Sequence, residues 1–243
     1  MWPGLTIPGT GVTTSSYHFF HVIGWFTFYL VGSRLTRSRP DLRYHWLWLA
    51  IAFGISDTVG AKTAFSMIRG TSQPGFYGTP LILLVVTLLY FLAARLRAYP
   101  FLDAWAIAFS ASHVFEKTAC FAAGCCFGRP TDSAWGIAIE AARGDKTRYQ
   151  PLPLLEALFH LATALILYGL YRQGLYRGRL VLVLGLAYGS WRSGIELLRS
   201  ERVGAFLGGP LSITQVLCLM AMSFSAVYLA SGPRAEPRAS EAS

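Results

Sequence analysis

Charge is scarce in this chain. Only 14% of its 243 residues are Asp, Glu, Lys or Arg, where an ordinary soluble domain carries roughly 25%. Together with 53% hydrophobic residues and a mean hydropathy of +0.44, the deficit argues for a protein whose solvent is lipid. Acids are scarcer than bases: 21 Lys and Arg face 12 Asp and Glu, a formal charge of +9. The basic residues cluster at the ends of apolar segments, not along a groove of stacked aromatics, so the excess points to lipid headgroups and excludes nucleic acid as the partner. The first fifteen residues hold no Lys or Arg, so the basic start of a cleavable signal peptide is missing. No nucleotide-binding loop, Ser-His-Asp spacing, internal repeat or lipidation motif is present.

What is there is a series of apolar runs. A spanning helix needs about 20 mostly apolar residues, and seven segments fit: 16–33, 46–68, 79–98, 101–118, 152–171, 180–199 and 211–231. Pro100, Pro151 and Pro210 each stand just before a run, where a missing N–H is harmless. Tyr17, Tyr44, Trp46, Trp48, Tyr99, Trp105, Tyr171 and Tyr176 lie near segment ends, as interfacial aromatic belts do. Arg34, Arg37, Arg39, Arg43, Arg95, Arg97, Arg172, Arg177 and Arg179 follow runs one, three and five, and Arg234 and Arg238 lie in the tail. By the positive-inside rule these face the cytoplasm, putting the N-terminus outside and the C-terminus inside. The expectation is an all-α integral membrane protein: one seven-helix domain over 1–231, an extramembrane loop at 119–150, and a disordered cytoplasmic tail over 232–243.

Ionisable groups inside such runs are costly and mark sites. Lys62, Arg192 and Glu196 interrupt apolar stretches, Lys117 closes the fourth, and Asp57 lies deep in the second. Arg192 and Glu196, four apart, share a helix face; they are either a packing ion pair or part of a site. Lys62, Lys117 and Arg192 together would suit a phosphate at the lipid–water boundary, which Arg can grip bidentately. Gly124 and Gly128, in the string from Glu116 to Pro130, permit tight turns close to a ligand, and Trp135 is expected to anchor the loop after it. Four cysteines include Cys120, Cys125 and Cys126 in that string but no Cys-x-x-Cys. A metal site, a disulfide from Cys120 to Cys125 or Cys126, redox chemistry and plain packing all stay open; three ligands without a paired His are one short of a closed metal site. Cys218 in the seventh run is expected to be packing. His113 and His160, on apolar runs, read as satisfied interior histidines, and His18 and His21 are left unassigned.

The ordered motifs resemble those of the prolipoprotein diacylglyceryl transferase family. Tyr17 followed by Gly24 resembles its opening Tyr…Gly pattern. Gly60-Ala61-Lys62 falls at its Gly-Ala/Gly-Arg, and Gly75-Phe76-Tyr77-Gly78 at its Phe-His/Tyr-Gly-Gly turn. Glu116 to Arg129 parallels its Arg- and Gly-containing signature, with Lys117 in the arginine's place and Cys120 where Asn is usual. Pro151 to Glu156, Gly189 to Arg199 and Leu211 to Gln215 resemble its later motifs. The resemblance implies seven helices with the N-terminus outside, in the bacterial inner membrane. It implies transfer of the diacylglyceryl group of phosphatidylglycerol to a lipobox cysteine of a prolipoprotein signal peptide, with no metal or other cofactor. It assigns Arg192, Lys117, Glu196, Tyr17 and Tyr77 to catalysis and Lys62, Cys120, Gly124, Gly128 and Gln215 to substrate binding, with acyl tails in clefts opened by Gly-rich helices. A non-catalytic relative that binds lipid or lipoprotein, a membrane thiol–disulfide oxidoreductase and a small-solute transporter are the competing readings.

Overall fold

The structure, a computed structural model, describes residues 4–6, 13–55, 89–90, 92, 98–139, 146–199 and 209–231. Asp57, Lys62, the turn containing Tyr77 and the 232–243 tail fall outside these, as do most of the run 79–98 and the second half of 46–68. A hairpin of β1 (Gly4–Thr6) and β2 (Thr13–Ser15), with Gly4 opposite Ser15, leads into α1 (Ser16–Leu35). Then come α2 (Pro40–Ile55) and α3 (Ala98–Ala123). A second small hairpin, β3 (Ile137–Ala138) with β4 (Arg148–Tyr149), precedes α4 (Leu152–Gln173). The chain continues through α5 (Leu180–Ile195), a 3₁₀ turn (Glu196–Leu198) and α6 (Ile213–Ser231). The fold is mostly helical, as composition required. The two hairpins are additions that the apolar pattern gives no sign of.

Helix boundaries follow local chemistry. Pro151 directly precedes α4, and Gly174, at φ 71°, ends it in the left-handed conformation that glycine adopts freely. Ser212 and Gln215 form a reciprocal capping box at the start of α6. Gln215 N–H donates to Ser212 Oγ at 3.2 Å, and Ser212 N–H donates to Gln215 Oε1 at 3.0 Å. The end of α3 runs past the expected 118 to Ala123, so the connecting loop begins at Gly124. Arg129 N–H, donating to the Leu198 carbonyl at 3.0 Å, fastens it to the 3₁₀ turn after α5, and Gly128 N–H donates to the Gln150 carbonyl just before α4 at 2.8 Å. Its anchors are Phe127, Ile139 and Tyr149, all buried; Trp135, expected in that role, is exposed.

Gly24 and Gly189 bring helices together, whereas a Cβ on Gly169 of α4 or Gly194 of α5 would meet nothing within 4 Å. A Cβ on Gly24 of α1 would meet Glu116 Oε1 at 3.0 Å and the Ser112 carbonyl of α3 at 3.3 Å. On Gly189 of α5 it would lie 3.2 Å from the Cys218 carbonyl of α6. Small residues let helix backbones approach this closely, as they do in membrane bundles. The spaces at Gly24 and Gly189 are filled by the neighbouring helix.

The surface is inverted relative to a soluble bundle. Phe26, Leu30, Leu158, Leu165, Ile166, Met220, Phe224 and Val227 are exposed, while Lys117, Glu156, His160, Arg192 and Glu196 are buried. Apolar surface on this scale marks contact with lipid. Among the described residues, α4 and α6 are long and apolar enough to cross a membrane. Of the expected belt, Tyr44, Trp48 and Tyr176 are exposed, but Trp46 and Trp105 are core residues. Trp46 stacks on Phe101 at 4.2 Å between ring centroids and meets Phe28 edge-on, so it packs α1, α2 and α3 together.

Candidate functional site

The N-termini of α1, α4 and α6 and the C-termini of α3 and α5 meet at one end of the bundle, beside the loop, and the buried charges collect there. Lys117, six residues before the end of α3, is paired with Glu156 in the first turns of α4. Arg199, just past the 3₁₀ turn, donates from Nη2 to the other oxygen, Glu156 Oε1, at 3.1 Å. One carboxylate therefore ties three segments together. Arg192 pairs with Glu196 at 2.8 Å across one helical turn, and Thr214 of α6 donates its hydroxyl to Glu196 Oε1 at 3.2 Å. Arg192 also acts electrostatically on Glu156, and Tyr188 lies in the field of both Lys117 and Arg192. The two ion pairs belong to one neighbourhood.

A third pair extends the polar end towards α1. His21 contacts Glu116, and Tyr17 stacks on the His21 ring at 5.3 Å. The close approach at Gly24 lets α1 press against Glu116 in this way. Tyr17 is thereby linked through His21 to the residue preceding Lys117.

The loop side of the end carries sulfur. Gly124 sits at φ 74° and Cys126 at φ 61°. Gly124 N–H donates to the Phe121 carbonyl at 3.1 Å and Cys125 N–H to the Cys120 carbonyl at 3.0 Å. This is the double hydrogen bond of a Schellman helix stop, which folds Cys125 back over Cys120. All four cysteines are free thiols, and Cys120, Cys125 and Cys126 are half-buried. Hydrogen bonds from Cys120 and then Cys125 hold the Cys126 thiol well below its usual range, with Lys117 and Arg199 adding to the effect against burial. Cys125 is pulled down by its hydrogen bond to Cys120, but its bond to Cys126 and burial outweigh that and push it up to about 12. Of the readings left open, the disulfide is not formed.

Of the residues singled out from the sequence, Lys117, Arg192, Glu196, Tyr17, Cys120 and Gly124 lie at this end, and Lys62 and Tyr77 are outside the described residues. Gly128 is a close-approach glycine whose neighbours are chain, not open space: a Cβ there would sit 2.9 Å from the Leu198 carbonyl. Gln215 has its side chain engaged in the capping box, with Nε2 also 3.4 Å from the Ser193 carbonyl. Sequence reasoning passed over Glu156, Arg199, His21 and Glu116 as site residues. Glu156 carried the signal, an acid inside an apolar run, and merited the weight given to Lys62. His160, one turn beyond Glu156, is fully buried, and its ring nitrogens make no hydrogen bond among the described residues. A satisfied interior role, the expectation for it, finds no hydrogen-bond partner among the described residues.

Comparison with known proteins gives this end a context. The family model for prolipoprotein diacylglyceryl transferase matches residues 7–231. A phosphatidylglycerol–prolipoprotein diacylglyceryl transferase of Campylobacter hominis is 29% identical over 224 residues, covering 82% of this chain and 78% of that protein. The chain belongs to the prolipoprotein diacylglyceryl transferase family, a transferase family of lipoprotein biosynthesis.

Proposed function

We propose that this member of the family moves the diacylglyceryl group of phosphatidylglycerol onto the lipobox cysteine thiol of a prolipoprotein. It works from a multi-pass position in the bacterial inner membrane, with seven spans and the polar end at the outer face. The observation that carries this reading is the convergence of Lys117, Arg192 and Arg199 around Glu156 and Glu196, inside a bundle whose outside is apolar. Such an end admits an anionic headgroup while the acyl chains stay in lipid.

The chemistry follows from the groups. The acceptor sulfur, as thiolate, attacks the terminal glyceryl carbon of the diacylglyceryl group. The bond from that carbon to the phosphate oxygen breaks, and glycerol phosphate leaves with the electron pair. Charge grows on the leaving phosphate, and cations held in advance where it grows lower the barrier. Arg192, braced by Glu196, and Lys117, braced by Glu156, form that clamp, with Lys62 as a third member. Tyr17 and Tyr77 donate to the headgroup or relay the acceptor's proton, Tyr17 through His21 and Glu116. Cys120, Gly124, Gly128 and Gln215 shape the substrate side.

The test uses purified protein, phosphatidylglycerol and a lipobox peptide. Arg192→Ala is expected to lower transfer at least about 100-fold, the scale of losing one oxyanion-type donor, while the protein still inserts in the membrane. Transfer at the normal rate by this variant would end the assignment. A second reading, a non-catalytic relative that binds anionic lipid, draws on one observation: Lys117, Arg192 and Arg199 each already have a carboxylate partner. Failure to rescue a cell depleted of its own transferase would favour it.

A further inference from the structure

The clustered cysteines are not members of the phosphate clamp, and Cys125 and Cys126 have no part in the transfer chemistry set out above. Their convergence has a backbone cause. A Schellman stop packs the residue after the left-handed position against the residue three from the helix end, usually as an apolar contact. Here those two residues are Cys125 and Cys120. Cys126 follows in a left-handed conformation of its own, φ 61°, which a non-glycine residue adopts only when its surroundings demand it. The result is three Sγ atoms within 4.8 Å of one another. A disulfide uses two sulfurs and strands the third. Cys218, buried in α6, has Arg192, Ser193 and Glu196 as its neighbours, so it offers no fourth sulfur to the cluster.

A tetrahedral zinc ion, with Zn–S near 2.3 Å, spaces its sulfurs about 3.8 Å apart. The three sulfurs, all within 4.8 Å of one another, lie within about 1 Å of that spacing. We propose that Cys120, Cys125 and Cys126 form a three-thiolate site for a soft, filled-shell divalent cation, zinc in the first instance, with the fourth position open. Binding releases the protons remaining on the three thiols. The assembly then carries one net negative charge, which the nearby Lys117 and Arg199 offset; both act on Cys126. Three protein ligands with an open position is the pattern of zinc sites that bind an exchangeable group. On the transfer reading, which this one step rests on, the exchangeable group is the acceptor cysteine, bound as a thiolate and presented beside the phosphate clamp. The metal site itself does not depend on that step.

The experiment takes the full-length protein in detergent, purified under reducing conditions without chelator. Metal analysis is expected to find about one zinc per chain, falling at least tenfold in Cys120→Ser, Cys125→Ser and Cys126→Ser and unchanged in Cys218→Ser. Replacement by Co²⁺ gives sulfur-to-metal charge-transfer absorption in the wild type and in Cys218→Ser, and not in the three cluster variants. Zinc slows maleimide labelling of the three thiols in wild-type protein, which keeps the test independent of whether the variants fold. Substoichiometric zinc with no cobalt band and no protection from labelling overturns the site, as does equal metal in the Cys126→Ser protein. Adding a lipobox peptide shifts the cobalt spectrum if its thiol takes the open position, and a Ser peptide does not. Metal binding without that shift overturns the acceptor step and leaves the site standing.

Discussion

Asp103 and Glu156 are both carboxylates buried in one helical bundle, and its two ends satisfy them in different ways. At the end away from the loop, Asp103 of α3 accepts from backbone donors: Gly178 N–H at 2.6 Å and Leu180 N–H at 2.9 Å. It caps the start of α5 from another helix, a substitute for the side-chain cap that Arg179 cannot supply. At the loop end, Glu156 holds the side-chain cations Lys117 and Arg199. Backbone donors are fixed by the helix that carries them, so the Asp103 end is a lock. Long cationic side chains can trade a carboxylate for a phosphate, so on the proposed transfer reading the Glu156 end is a socket. The apolar cluster of Phe28, Trp46, Phe101, Trp105 and Leu180 surrounds the lock, and the polar network surrounds the socket.

Substitutions at the two carboxylates separate these roles. Glu156→Gln leaves the buried Lys117 and the half-buried Arg199 facing a neutral amide, and the expected loss is about 3–5 kcal/mol, the scale of breaking a buried ion pair. It would be read as a drop in thermal or denaturant stability in detergent. Asp103→Asn keeps one oxygen that can accept an N–H, and its expected loss is about 1–2 kcal/mol. Equal losses would show that both ends are locks. Ser212→Ala removes half of the capping box of α6 without touching any charge, for about 1 kcal/mol. Its transfer rate, measured with the peptide assay, is expected to stay close to wild type. A large fall in rate would place the start of α6 within the socket and not merely beside it.

The sequence exposed some of these features and hid others, for identifiable reasons. Arg192 and Glu196 were legible because one helix brings residues four apart together. Lys117 was legible because a cation at the edge of an apolar run is out of place. Its partner Glu156 is 39 positions away by number and on another helix, so their pairing needed the packing of α3 on α4. The cysteines show the same limit from the other direction. Their spacing alone is one ligand short of a closed metal site, whereas the Schellman stop after Ala123 and the left-handed Cys126 bring all three sulfurs to one point. Trp46 and Trp105 were misread because position near a segment end does not say which way a ring faces. His21 gave no local sign of Glu116 at all.

Scarce charge and long apolar runs were enough to set the solvent of this protein and its helical class, because in lipid the backbone has no partner but itself. Motifs kept in order from Tyr17 to Gln215 set the family. Which charges meet, which glycines are contact points and that three cysteines converge were settled by the packing of the folded chain. Those outcomes depend on how separate helices pack, and the energy of a contact between distant residues is not written in the spacing of either one.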